Sequence, residues 1–206
     1  MKAFWREGPP GAPLVVLLHG RGADETSLVP LAESFPSRFA VALPRGPLTL
    51  ESGGYTWFEN RGLGYPLGQS LRANADLLLG WLDELDGTRV DLRRIIIGGF
   101  SAGMLMASAL LLDRPGRFHA GVLLSGTLPW DVEEIVPSAL QLRGKPVFHA
   151  HGDNDRVIPL DLVARSETYL INESGAQVDH RRYPMAHEIS TAEHRALLAL
   201  FARTIA

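Results

Sequence analysis

Gly99-Phe100-Ser101-Ala102-Gly103 sets a serine in a G-x-S-x-G spacing, after the apolar run Ile95-Ile96-Ile97 and at the head of the apolar stretch Ala102 to Leu112. A short run of β-branched residues reads as a buried strand, and an apolar stretch without a polar face reads as a buried helix. The chain therefore turns sharply from strand to helix at Ser101, and this constrains the fold more than any other segment. Glycines two residues to either side let the backbone turn and the helix pack closely. The serine then sits at a helix N-terminus, where backbone N–H groups point at developing negative charge. The bland alternative is a turn serine that only caps a helix.

The rest of the chain repeats the alternation. Leu14 to Leu18, Phe39 to Leu43, Ala120 to Leu124 and Pro146 to Ala150 are further short apolar runs bounded by Pro or Gly. Phe4-Trp5 begins another, and Val178 to Tyr183 is more polar and alternating, as a strand near a sheet edge would be. Between them, Leu71, Ala75, Leu78, Leu82 and Leu85 share one helical face, as do Ile189, Ala192, Ala196, Leu200 and Phe201. Leu160 to Glu173 reads as one more helix, stopped by Gly175. Strands alternating with helices predict an α/β protein, with a mostly parallel sheet covered on both faces. Its active site belongs at the carboxyl ends of the strands. No linker interrupts residues 1–206, so a single domain is expected. Pro44 to Pro66, with five glycines beside Tyr55, Trp57, Phe58 and Tyr65, resists the scheme and reads as a long functional loop.

The loops after the strands carry the chemistry. His19-Gly20-Arg21-Gly22 follows the first firm strand. There the backbone N–H of Arg21 and that of Ala102 would form an oxyanion hole; a glycine turn with a structural histidine is the alternative. His149-Ala-His151-Gly-Asp153-Asn-Asp155 closes the fifth strand, and either aspartate stands where a triad acid should. His187 follows the last strand on a loop, where a general base can reach the serine. His180 lies within a strand, His194 on a helix and His119 just before a strand, so each is a weaker base. Serine, then aspartate, then histidine is the chain order of α/β-hydrolases.

Leu17-Leu-His-Gly-Arg-Gly22, Gly98-Gly-Phe-Ser-Ala-Gly103, His151-Gly-Asp-Asn-Asp-Arg-Val-Ile-Pro159 and Tyr183-Pro-Met-Ala-His187 together resemble the phospholipase/carboxylesterase family, which includes acyl-protein thioesterases. Tyr55-Thr-Trp57-Phe58 is similar to its aromatic loop. The resemblance implies a small α/β-hydrolase fold without a large cap domain, and a serine esterase that needs no cofactor. It assigns the acid to Asp155, giving Ser101, Asp155 and His187 as the triad. It departs in two places beside the serine. Many members have Gln-Gly-Gly where this chain has Ala102-Gly103-Met104, and thioesterases commonly have Leu at Arg21. The expected substrate is a small-molecule ester of short or medium acyl length, with thioesters and lysophospholipids as variants. Tyr55, Trp57 and Met104 are expected to help line the pocket. Dimerisation to a homodimer is common among such relatives, and no exposed apolar stripe here demands it.

Composition removes other classes. The chain has no cysteine, which excludes a disulfide framework, a Cys-ligated metal and a cysteine nucleophile. Its net charge is −3 and its arginines are scattered, which argues against nucleic acid as a partner. The first residues lack an apolar signal-peptide core, and no apolar run approaches the ~20 residues of a membrane helix, so a soluble, cytoplasmic protein is expected. Two rival readings stand. His149, His151, Asp153 and Asp155 have a His-x-His-x-Asp spacing that resembles metallo-β-lactamase-type ligand sets, although Asn154 stands where such motifs continue with histidine. The other rival is a hydrolase-fold protein that binds a ligand without turnover.

Overall fold

The computed structural model describes residues 1–85, 87, 89–135 and 137–203. Seven strands form the main sheet: β1 (Ala3–Arg6), β2 (Ala12–Leu18), β3 (Ala40–Pro44), β8 (Val90–Phe100), β9 (Ala120–Leu124), β10 (Pro146–Gly152) and β11 (Gln177–Tyr183). Their order is β1-β3-β2-β8-β9-β10-β11, and only β1 runs antiparallel to its neighbour. The remaining strands are short pairs within the aromatic loop: β4 (Leu48–Thr49) with β5 (Tyr55–Thr56), and β6 (Asn60–Gly62) with β7 (Tyr65–Pro66).

The central strands are apolar on both sides because both sides are covered. Leu14, Val16, Leu18, Ile95 and Ile97 face α2 (Gly68–Asp83) and α3 (Ala102–Asp113). Val15, Leu17 and Ile96 face α1 (Val29–Ser34) and α5 (Thr191–Arg203). Residues 103 to 112 of α3 are all buried, which accounts for the absence of a polar face. The helix α1 escapes sequence reading because six residues are too few to show a period. Leu85 lies beyond the end of α2, in a tight turn where its N–H reaches the Leu82 carbonyl. The expected helix from Leu160 to Glu173 divides into α4 (Leu160–Thr168) and a π-helical turn (Tyr169–Glu173). Among the described residues no helix is long and apolar enough to cross a membrane.

Glu193 opens α5, where its N–H donates to Ser190 Oγ at 3.2 Å. Its carboxyl is buried, and among the described residues neither oxygen has a hydrogen-bond partner. Burial raises this group to about 7. Between about pH 4.5 and 7 the folded chain therefore holds a proton that the unfolded chain has released, and stability falls as pH rises through that window. Glu193→Gln is expected to stabilise the protein by up to about 3 kcal/mol at pH 8 and by little at pH 4. Urea titrations at both pH values read this directly; an equal gain at both would show that charge burial is not the cause.

Candidate active site

The turn at Ser101 is strained in the way the sequence requires. Ser101 has φ 57° and ψ −120°, a left-handed region that non-glycine residues rarely occupy. Its N–H donates to the Leu124 carbonyl at 3.0 Å, tying the turn to the end of β9. A side chain on Gly103 would stand 2.0 Å from the Leu18 carbonyl oxygen, and one on Gly99 would stand 2.3 Å from the Gly103 carbonyl carbon. Both glycines are there for close approach of α3 to β2 and β8.

His187 Nε2 lies 2.9 Å from Ser101 Oγ, and His187 Nδ1 lies 2.8 Å from Asp155 Oδ2. Phe100 supports the imidazole from one side, with ring centroids 4.9 Å apart. The loops carrying the acid and the histidine are joined by backbone bonds. Asp153 N–H donates to the Tyr183 carbonyl at 2.7 Å and Asn154 N–H to the Met185 carbonyl at 3.0 Å. Asp155 Oδ1 accepts from the N–H groups of Val157 at 2.8 Å and Ile158 at 3.3 Å. Burial would raise the Asp155 carboxyl, but the hydrogen bonds from His187 and these two N–H groups outweigh it and hold the group below the ordinary carboxylate range. Asp153, its rival in the sequence, turns outward to an ion pair with Arg182 at 2.9 Å. His194, on α5, bonds Ser34 Oγ at 2.6 Å.

The Arg21 loop is held by the aromatic loop. Gly22 N–H donates to the Tyr55 carbonyl and Tyr55 N–H to the Ala23 carbonyl, both at 2.9 Å. Trp57 Nε1–H donates to the His19 carbonyl at 2.8 Å. His19 Nε2 accepts from Gly46 N–H at 3.0 Å, and its Nδ1 lies 2.7 Å from the Gly20 carbonyl, which assigns the proton to Nδ1. Burial lowers the pKa of His19, so the neutral ring this network needs is the favoured one. Among the described residues no acceptor occupies the N–H of Arg21 or of Ala102.

A cleft of about 40 Å³ lies beside Ser101 and Ala102, walled by Phe58, Asn60, Leu105, Thr127, Val157 and Ile158. It shares Arg21 and Asn60 with a broad, open groove of about 830 Å³ along residues 47–52 and 59–61. The expected pocket residues are elsewhere. Trp57 and Met104 are fully buried in the core, and Tyr55 lies against Arg45 on another groove. Trp57 followed burial because the aromatic loop closes through it, and Met104 because it lies on the buried helix α3. Three of the residues that wall this cleft had a usable signal. Leu105 lies four residues after Ser101, on the same helix face, and Val157-Ile158 follow Asp155 with only Arg156 between.

The metal reading of His149, His151, Asp153 and Asp155 does not survive the geometry. Asp155 is engaged by His187, Asp153 pairs with Arg182, and His149 turns to His180 at 2.9 Å. His151 is buried with Nε2 3.1 Å from Asp155 Oδ2, and burial lowers its pKa to about 4.

The family described as phospholipase/carboxylesterase matches this chain over residues 6–204. An acyl-protein thioesterase 1 of Mycosarcoma maydis is 30% identical over 130 residues, which cover 61% of this chain and 54% of that protein. The chain thus spans about half the length of that relative. An acyl-protein thioesterase 1 of Cryptococcus neoformans var. neoformans is 29% identical over 176 residues, covering 78% of this chain and 74% of the relative. A carboxylesterase structure from Bacillus cereus superposes with a TM-score of 0.86 at 27% identity, covering 98% of this chain and 94% of that one.

Proposed function

We propose that this chain, which belongs to the phospholipase/carboxylesterase family and is an ester hydrolase, cleaves short- to medium-chain acyl esters through Ser101, His187 and Asp155. The observation that carries this reading is the unbroken path from Ser101 Oγ to His187 at 2.9 Å and from His187 to Asp155 at 2.8 Å. Ser101 Oγ attacks the ester carbonyl carbon while its proton moves to His187 Nε2. Asp155 accepts from Nδ1–H, which fixes the tautomer and stabilises the imidazolium. The N–H groups of Arg21 and Ala102 receive the oxyanion. Collapse expels the alcohol, protonated by His187, and leaves an acyl group on Ser101. Water activated by His187 then releases the acid.

The cleft beside Ser101 favours a small acyl group, and the open groove beyond Arg21 and Asn60 gives room for the alcohol. Relatives named acyl-protein thioesterase support thioesters as a second leaving-group class for the same chemistry. On p-nitrophenyl esters, kcat/KM is expected to be highest between acetate and butyrate and roughly tenfold or more lower with dodecanoate. A phosphonate ester should label the peptide containing Ser101 stoichiometrically. A profile climbing to dodecanoate would refute the small pocket, and label elsewhere would refute the nucleophile.

A further inference from the structure

On the edge of the sheet, apart from the residues that wall the Ser101 cleft, three metal-ligating side chains meet from β10, β11 and α4. His149 and His180 are register partners on the parallel strands β10 and β11. Their rings stack at 16° with centroids 5.1 Å apart, and their Nδ1 atoms are 2.9 Å apart. Glu167 of α4 brings Oε1 to 3.8 Å from His180 Nε2. One donor atom from each of the three lies within 4.8 Å of the other two. We propose that His149, His180 and Glu167 form a binding site for a divalent transition-metal ion of the zinc class, separate from the esterase site.

The chemistry of the donors selects this class of ion. Two imidazoles and a carboxylate suit zinc, nickel, cobalt or copper rather than magnesium or calcium, which prefer all-oxygen shells. Bonds of about 2.0 to 2.1 Å in tetrahedral array set neighbouring donors about 3.3 Å apart. The two Nδ1 atoms are already near that spacing, and the flexible end of Glu167 closes the remaining gap. The short contact between the rings uses one Nδ1–H. Moving that proton to Nε2 of the same ring points two lone pairs at one place, with no net proton release.

The environment keeps a ligand ready. His149 is buried and, among the described residues, its Nε2 has no hydrogen-bond partner. His180 and Glu167 are each 22% exposed, which opens a path from solvent and leaves a fourth position for water. Arg182 opposes the ion. It bonds Asp153 at 2.9 Å and, also at 2.9 Å, Glu167 Oε1, the oxygen that lies 3.8 Å from His180 Nε2. That nearby cation holds the expected affinity to the micromolar range. Binding ties the edge strand β11 to β10 and α4, and so stabilises the fold by mass action.

Calorimetry of the untagged full chain with zinc, nickel and magnesium tests the site. Zinc and nickel are expected to bind one per chain and to raise the melting temperature, and magnesium to do neither. His180→Ala and Glu167→Gln, both at half-buried positions, should weaken zinc binding by about tenfold or more. His187→Ala should leave it unchanged. Zinc binding that survives His180→Ala and Glu167→Gln, or that His187→Ala abolishes, would overturn the proposal. So would the absence of zinc binding to the wild-type chain.

Discussion

Ser101→Ala is expected to lower kcat for short p-nitrophenyl esters by about 10⁴ to 10⁶-fold while the protein stays folded. Alanine and serine meet the same strain at φ 57°, so the change removes the hydroxyl and little else. The Ser101 N–H that ties the turn to Leu124 is retained, as is the His187–Asp155 hydrogen bond. What remains is binding and the two free N–H groups, which supply only a residual acceleration. EDTA is expected to leave wild-type activity unchanged, since the proposed metal site shares no residue with the Ser101 path. Comparing wild type and variant with and without EDTA, with melting curves on both, decides the matter. Hydrolysis that persists in Ser101→Ala would remove the serine from the mechanism.

The second large effect comes from one atom of Asp155. In Asp155→Asn the turn keeps its acceptor, because the N–H groups of Val157 and Ile158 continue to claim the side-chain oxygen at Oδ1. The new amide NH₂ is then forced to the position of Oδ2, 2.8 Å from His187 Nδ1. A donor there demands an acceptor, so Nδ1 loses its proton and Nε2 gains it. His187 then has no lone pair for the Ser101 proton, and kcat is expected to fall by about 10⁴-fold. Asp155→Ala would remove the turn acceptor as well and confuse lost chemistry with lost structure. Asp155→Asn therefore gives the sharper test, read as kcat at constant melting temperature. Activity within tenfold of wild type would show that the acid does not set the histidine tautomer.

The alternation of apolar runs and helical faces was legible because it is local. Strand and helix periods repeat within a few residues, and burial of both sheet faces leaves near-continuous apolar runs such as Leu14 to Leu18. The sharp turn at Ser101 was legible for the same reason, since two glycines and two apolar flanks define it within residues 95–112. The position of His187 on a loop after the last strand also followed from neighbours in sequence.

Tertiary packing alone decided the rest. Asp153 and Asp155 are equivalent by spacing, and they part only because backbone bonds to Tyr183 and Met185 aim one at His187 and the other at solvent. Trp57 and Met104 look like pocket residues and are core, because closing the aromatic loop over His19 buries Trp57 and Met104 lies on the buried helix α3. His149 and His151 suggest one ligand set by sequence, yet His149 turns to its register partner on β11 and His151 to Asp155. Each of these outcomes depends on contacts between residues far apart in the chain, where sequence spacing carries no geometric information and long-range hydrogen bonds and burial choose the partner.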